Sequence, residues 1–286
     1  RVRSIRRQMD LLILDFMRKW ALNILGSLLL LLTLIGCQKK DGYAEVLVIG
    51  HGGNGLDNLN SFYHDNSLES ILMALDTEGC SGVELDVQMS IDGTLWLFHD
   101  ETLANETGGE GCIPDQTDAY LGTLHYSTLN AEDLIRLDDV PSSHLMGKIV
   151  YIDTRSLNNC SGSEIDVMHY LGNVNDFQAA NLTAEIVICT GSLTWLEVFQ
   201  TAGYKVMPQI TAMEMYQDFL ISFPMFVGVV VANSDIKKEE VSLIQGEGKE
   251  VVIFDVRSST GIRSAFKKMP DAIMTDNIRK TLIEKY

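Results

Sequence analysis

The 286-residue sequence has little positive charge: 22 Lys and Arg stand against 39 Asp and Glu, a formal net charge of −17. Such a chain lacks the basic footprint by which proteins hold a phosphate polymer, which excludes nucleic acid as a partner. The same deficit excludes electrostatic adhesion to anionic lipid. There is no CxxC pair and no His at zinc-finger spacing, so a zinc site built on thiolates is excluded as well. No G-x-G-x-x-G opens a helix after the first strand-like run, which argues against an open dinucleotide-binding sheet. Nor does a low-complexity linker divide the chain, so a single domain is the default. With 46% apolar and 21% charged residues, that domain can bury a sizeable core.

The N-terminal region departs from this composition. Met17-Arg18-Lys19 precedes an uncharged stretch, and its apolar part at 21–35 is shorter than the roughly 20 residues that a membrane span needs. A basic start, a short apolar run and Leu34-Ile35-Gly36-Cys37 resemble a bacterial lipoprotein signal. Residues 1–36 are therefore read as a signal peptide, with 1–16 an upstream extension. Cleavage before Cys37 would leave a lipid on its sulfur, a tether at 37–44 and a domain at 45–286. This implies export to a bacterial cell envelope and a lipid-anchored protein. Of the charged residues, six Lys or Arg and two Asp or Glu fall in 1–36, which leaves 16 basic against 37 acidic and a formal charge of −21. A phosphorylated substrate would then need a local cation. Cys80, Cys112, Cys160 and Cys189 allow one or two disulfides in an oxidising compartment, with buried thiols as the alternative.

Eight short β-branched runs follow, at 45–50, 82–89, 148–153, 185–189, 205–210, 226–231, 250–256 and 272–275. Segments of helical spacing lie between most of them, such as Leu68, Ile71, Leu72 and Leu75, with Gly79 and Gly203 as closing residues. Eight strands alternating with helices predict an α/β fold, a closed (β/α)8 TIM barrel. One segment breaks the alternation: Asp92-Gly93 predicts a hairpin to a further strand at 94–98. Residues 101–146 are then poor in apolar runs and read as a small insertion above the barrel.

Four polar groups fall at strand ends on the side where barrels build their sites: His51, Glu84, Asp86 and His99. The i, i+2 spacing of Glu84 and Asp86 turns both carboxylates to one face of their strand, into the barrel. Paired inward carboxylates need a counter-charge. A hard divalent cation, Ca²⁺ or Mg²⁺, would supply it, and Arg155 is a candidate for the ion-pair alternative. His51 precedes Gly52-Gly53, where backbone can approach a ligand closely, and His99 ends its strand beside the carboxylates. Two imidazoles flanking a metal are suited to moving protons to and from a phosphodiester. His64, His125, His144 and His169 have no such context and are expected at the surface or in loops.

These residues resemble the glycerophosphodiester phosphodiesterases over most of the chain after Cys37. The family's opening His-Arg-Gly appears as His51-Gly52-Gly53, and its Pro-Glu-Asn-Thr as His64-Asp65-Asn66-Ser67. Its Glu-x-Asp appears as Glu84-Leu85-Asp86, its Asp-Gly turn as Asp92-Gly93 and its His-Asp as His99-Asp100. Later, Asp153-Thr154-Arg155 looks like the Glu-x-Lys strand, and Thr275-Asp276 like the closing Thr-Asp. The resemblance implies a TIM barrel, Glu84, Asp86 and Asp153 as metal ligands, and His51 and His99 as the acid–base pair. It also implies a small-molecule phosphodiester substrate cleaved to an alcohol and glycerol phosphate.

There are two departures from the family pattern. The phosphate-contacting Arg is replaced by Gly52, leaving Gly52 and Arg155 as the substrate-contact candidates, and the third carboxylate is Asp153 instead of Glu. Both bear on the substrate more than on the reaction class. Another phosphodiester, from a phospholipid or a sugar or polyol phosphate, is therefore the alternative substrate. A non-catalytic lipoprotein binding a polar ligand is the alternative from a different class.

Overall fold

The computed structural model describes residues 42–55, 62–155, 160, 162 and 164–286. The expected signal peptide and Cys37 lie outside these residues. In chain order the described elements begin with β1 (Leu47–His51), α1 (Leu68–Leu75), β2 (Gly82–Met89) and β3 (Leu95–Leu97). Two short helices follow, α2 (Asp118–Leu121) and α3 (Ser142–Leu145), and then β4 (Ile149–Asp153). From there helix and strand alternate: α4 (Val167–Ala180), β5 (Glu185–Thr190), α5 (Leu193–Thr201), β6 (Lys205–Ile210) and α6 (Met213–Ser222). The chain closes with β7 (Gly228–Ala232), α7 (Lys238–Gly246), β8 (Glu250–Val256), α8 (Ser259–Lys268), β9 (Ala272–Thr275) and α9 (Ile278–Lys285).

The strands pair in parallel in the order β1, β9, β8, β7, β6, β5, β4, β2, and β1 also pairs with β2, so the sheet closes on itself. This is a (β/α)8 barrel. β3 lies antiparallel on β2, as the Asp92-Gly93 turn predicts. Parallel strands covered on both faces need no polar side, which is why β2 is buried along its whole length and why β7 and β8 read as near-continuous Val and Ile. β1 begins later than expected because Val46 N–H is turned back onto Tyr43 O. β7 begins at Gly228 because the Phe226 and Pro224 carbonyls are taken by Lys249 Nζ, outside the ladder.

Period-two alternation sorts the side chains into two layers. Ile49, Tyr151, Val187, Met207, Val252 and Met274 fill the barrel, whereas Val48, Val83, Leu85, Val150 and Ile152 face the helices. Along β2 the outward residues are Val83, Leu85 and Val87, so Glu84 and Asp86 point inward. Register then sets their level: His51 lies beside Glu84, and Asp86 beside Asp153.

The segment expected as an insertion is built from short turns and helices around a small core of its own, including Trp96, Phe98, Leu103, Leu121 and Tyr126. A disulfide joins Cys112 in it to Cys160, beyond β4. Cys80 and Cys189 are buried free thiols, so the pairing is settled for the four cysteines of the described domain.

Candidate active site

A cavity of about 220 Å³ opens at the carboxyl ends of the strands, with His51, Glu84, Asp86, His99, Asp153 and Arg155 in its wall and Cys189, Val230 and Met274 among its apolar lining. The carboxylate oxygens of Glu84, Asp86 and Asp153 lie within 4.8 Å of one another. Each has a fixed orientation. Gly52 N–H donates to Glu84 Oε2 at 3.0 Å, and Arg155 N–H to Asp153 Oδ1 at 3.2 Å. Asn66 clamps Asp86 twice, with Nδ2 donating to the carboxylate at 2.8 Å and Oδ1 accepting the Asp86 N–H at 3.0 Å. Burial and the neighbouring Asp86 charge push the Glu84 carboxyl well above its usual range, and both causes also raise Asp153.

Arg155 is the only guanidinium beside the trio among the described residues, 3.7 Å from Asp86 and 3.6 Å from Asp153. The ion-pair alternative is thus present in part. Arg155 and the imidazole of His51, 4.0 Å from Glu84, are basic groups that face these three carboxylates. Arg155 takes a left-handed backbone at φ 42°, a strained conformation for a side-chain-bearing residue, and its Nε is buried without a hydrogen-bond partner.

His51 ends β1 and has Nδ1 2.8 Å from Asp276 Oδ1, just beyond β9. Asp276 is in turn paired with Arg257, whose Nε lies 2.5 Å from Oδ2. Nε2 of His51 faces Glu84 at 4.0 Å. Burial alone would lower the imidazole, but the Asp276 hydrogen bond and the Glu84, Asp276 and Asp86 charges raise it to about 10. Across the cavity His99 follows β3, and its Nδ1 lies 2.9 Å from Asp100 Oδ1. Asn105 Nδ2 donates to the other oxygen of Asp100 at 2.9 Å.

Of the two residues expected to contact substrate, Arg155 lines the cavity and Gly52 is buried beneath Asp65. Gly52 has φ +54°, and a Cβ there would lie 2.6 Å from Asp65 Cβ, so the position serves the turn and the Glu84 contact. His64 is a correction: it is buried, 3% exposed, stacked on Tyr126 at 3.9 Å and paired with Asp65 at 2.7 Å. Asn66, Arg257, Asp276 and Glu106 were given no role by the sequence. The quoted Thr275-Asp276 pair was the available signal for Asp276. For Asn66 it was the quoted His64-Asp65-Asn66-Ser67 motif, whereas Arg257 and Glu106 carry no local signal.

The donor set fits a hard divalent cation. Three convergent carboxylates, with no thiolate and no imidazole within the trio, suit an oxygen-ligated divalent ion.

Residues 51–280 match the model of the Glycerophosphoryl diester phosphodiesterase family. A glycerophosphodiester phosphodiesterase of Caldanaerobacter subterraneus subsp. tengcongensis is 40% identical over 73 residues, 26% of this chain but only 28% of that protein. One from Bacillus altitudinis is 24% identical over 230 residues, 75% of this chain and 89% of that protein. Among solved structures, an Oleispira antarctica phosphodiesterase in complex with the product sn-glycerol-3-phosphate superposes with a TM-score of 0.69 at 20% identity, over 85% of this chain and 98% of that one. The fold, the run of the family match and the relatives agree, and the chain belongs to the glycerophosphoryl diester phosphodiesterase family.

Proposed function

We propose that the protein is a divalent-metal-dependent phosphodiesterase that hydrolyses a glycerophosphodiester to an alcohol and glycerol phosphate. The observation that carries this reading is the convergence of Glu84, Asp86 and Asp153 on one cavity that His51 and His99 also line. The family match supports the reaction class, and the product bound to the Oleispira protein supports glycerol phosphate as the product here.

Glu84, Asp86 and Asp153 are the residues that hold the ion, Ca²⁺ or Mg²⁺. When bound, it supplies charge stabilisation at the phosphate oxygens. Arg155 lines the same cavity and orients the phosphate in place of the arginine missing after His51. His51 and His99 are the acid–base pair: one takes the proton of the attacking oxygen and the other protonates the leaving alkoxide. Asp276 holds Nδ1 of His51 and Asp100 holds Nδ1 of His99, which orients both rings. The apolar lining of Cys189, Val230 and Met274 limits water around these groups.

We also propose that the protein is exported and held at the cell envelope by a lipid on Cys37. Support comes from residues 17–37 of the sequence and from the Cys112–Cys160 disulfide, which belongs to an oxidising compartment. The catalytic test is turnover of glycerophosphocholine and bis-p-nitrophenyl phosphate after metal removal and after addition of Ca²⁺ or Mg²⁺. Activity abolished by EDTA and restored by one of the ions is the expected result. A protein inert towards both substrates with every ion would favour the ligand-binding alternative.

A further inference from the structure

Behind His99 the insertion places a carboxyl group that the mechanism above does not use. Glu106 is 7% exposed, and its carboxylate lies with the polar atoms of His99 and Asp100 in one cluster, all within 4.8 Å of one another. The same carboxylate is equally close to His64 and Asp65. The groups facing it are His64 and Asp65 from the loop before α1, Asp86 from β2, His99 and Asp100 after β3, and Tyr126 of the insertion. The two imidazoles are the basic groups among them, and each already has an aspartate of its own: His64 with Asp65 at 2.7 Å, His99 with Asp100 at 2.9 Å.

A buried carboxyl with no cation of its own and aspartates on several sides keeps its proton. In that form it has one O–H to donate, and the Asp100 carboxylate, within 4.8 Å, is the acceptor placed for it. We propose that Glu106 is a positioning residue for His99: as a neutral acid it donates to Asp100 and fixes that carboxylate against His99 Nδ1. The inference rests on the reading of His99 as one of the acid–base pair. The charge pattern agrees with the geometry. Burial, followed by the charges of Asp65, Asp100 and Asp86, raises Glu106 to about 10, whereas Asp100 is lowered despite its burial by its hydrogen bonds to His99, Asn105 and Glu106.

Two substitutions separate a neutral donor from an anion. Glu106→Gln keeps shape and donor without a titrating proton, and Glu106→Met fills the space without a donor. With glycerophosphocholine and saturating divalent ion, Glu106→Met should lose about tenfold in kcat with little change in KM, as expected for loss of a partner that orients a functional side chain. The pH limb belonging to His99 should move upward, because Asp100 loses a donor and holds the imidazolium more tightly. Glu106→Gln should restore both the rate and the limb. If Gln is as damaging as Met, an anionic carboxylate is required and the proposal fails; if Met matches wild type, Glu106 positions nothing. His99→Ala serves as the reference: full activity there would overturn the reading of His99 itself.

A stability measurement decides the matter if Glu106→Met does not fold. An acid whose proton is held from about 4.5 in the unfolded chain to about 10 in the fold destabilises the native state progressively as pH rises through that window. The melting-temperature gap between Glu106→Gln and wild type should therefore widen from pH 5 to pH 9. A constant gap would show that Glu106 is ionised and overturn the proposal.

Discussion

The two histidines reach the same cavity on different supports. His51 belongs to the barrel frame: it ends β1, its Asp276 partner follows β9 and the Arg257 behind that follows β8, all on mutually paired strands. His99 belongs to the insertion: its partner is the next residue, and the groups behind Asp100 are Asn105 and Glu106. The first relay is a buried carboxylate backed by a guanidinium, the second a half-exposed carboxylate backed by an amide and a neutral acid. The difference shows how a barrel can keep one proton-transfer group rigid through its own register while an added segment supplies the other.

The sharpest test of the pairing is removal of each ring. His51→Ala and His99→Ala should each lower kcat by about 10²–10⁴-fold, the range for a positioned acid or base, and the double variant should lose little more than the worse single one. Simple additivity in a glycerophosphocholine assay would mean that the two do not act in one step. His99→Ala should leave Ca²⁺ affinity intact by calorimetry, since His99 is no ligand in this account.

The supports should then differ from each other. Asp276 is 4% exposed against 27% for Asp100, so its charge acts through a lower dielectric and is less screened by salt. Asp276→Asn should therefore cost more kcat than Asp100→Asn, about 100-fold against about 10-fold. Equal losses, or the reverse order, would break the comparison.

A smaller effect is expected at the disulfide. Cys112–Cys160 closes 48 residues and ties the insertion to the segment beyond β4. Changing both to Ser should lower stability by about 2–4 kcal/mol in denaturant unfolding. The activity loss should be only a few-fold and should fall on the pH limb of His99, leaving that of His51 in place.

The barrel was legible in the sequence because parallel strands buried on both faces read as unbroken β-branched runs. Their ends were less legible, since Tyr43 O and the Lys249 ammonium, not propensity, decide where β1 and β7 begin. Glu84 and Asp86 could be placed together because a strand period of two is local information. Asp276 could not be paired with His51 by any local rule, as the contact is made by barrel closure across the whole chain. His64 sits in a polar segment that reads as a loop, and its burial comes from Tyr126, contributed by the insertion. Glu106 is likewise one acid among many until the fold surrounds it with aspartates.

The central claim, a divalent cation held by Glu84, Asp86 and Asp153, is tested most directly by the melting temperature of metal-stripped protein as Ca²⁺ or Mg²⁺ is added. An ion that binds only the folded state stabilises it by about 2.7 kcal/mol at 100-fold excess over Kd, so the wild type should melt several degrees higher and Glu84→Gln/Asp86→Asn should not respond. Glu84 and Asp153 hold protons above the usual carboxylate range in the ion-free protein and must release them to bind, so the shift should grow as pH rises. A wild-type melting point that neither EDTA nor either ion moves, with a double variant destabilised by an unpaired Arg155, would show that the arginine alone balances the carboxylates and would contradict the account.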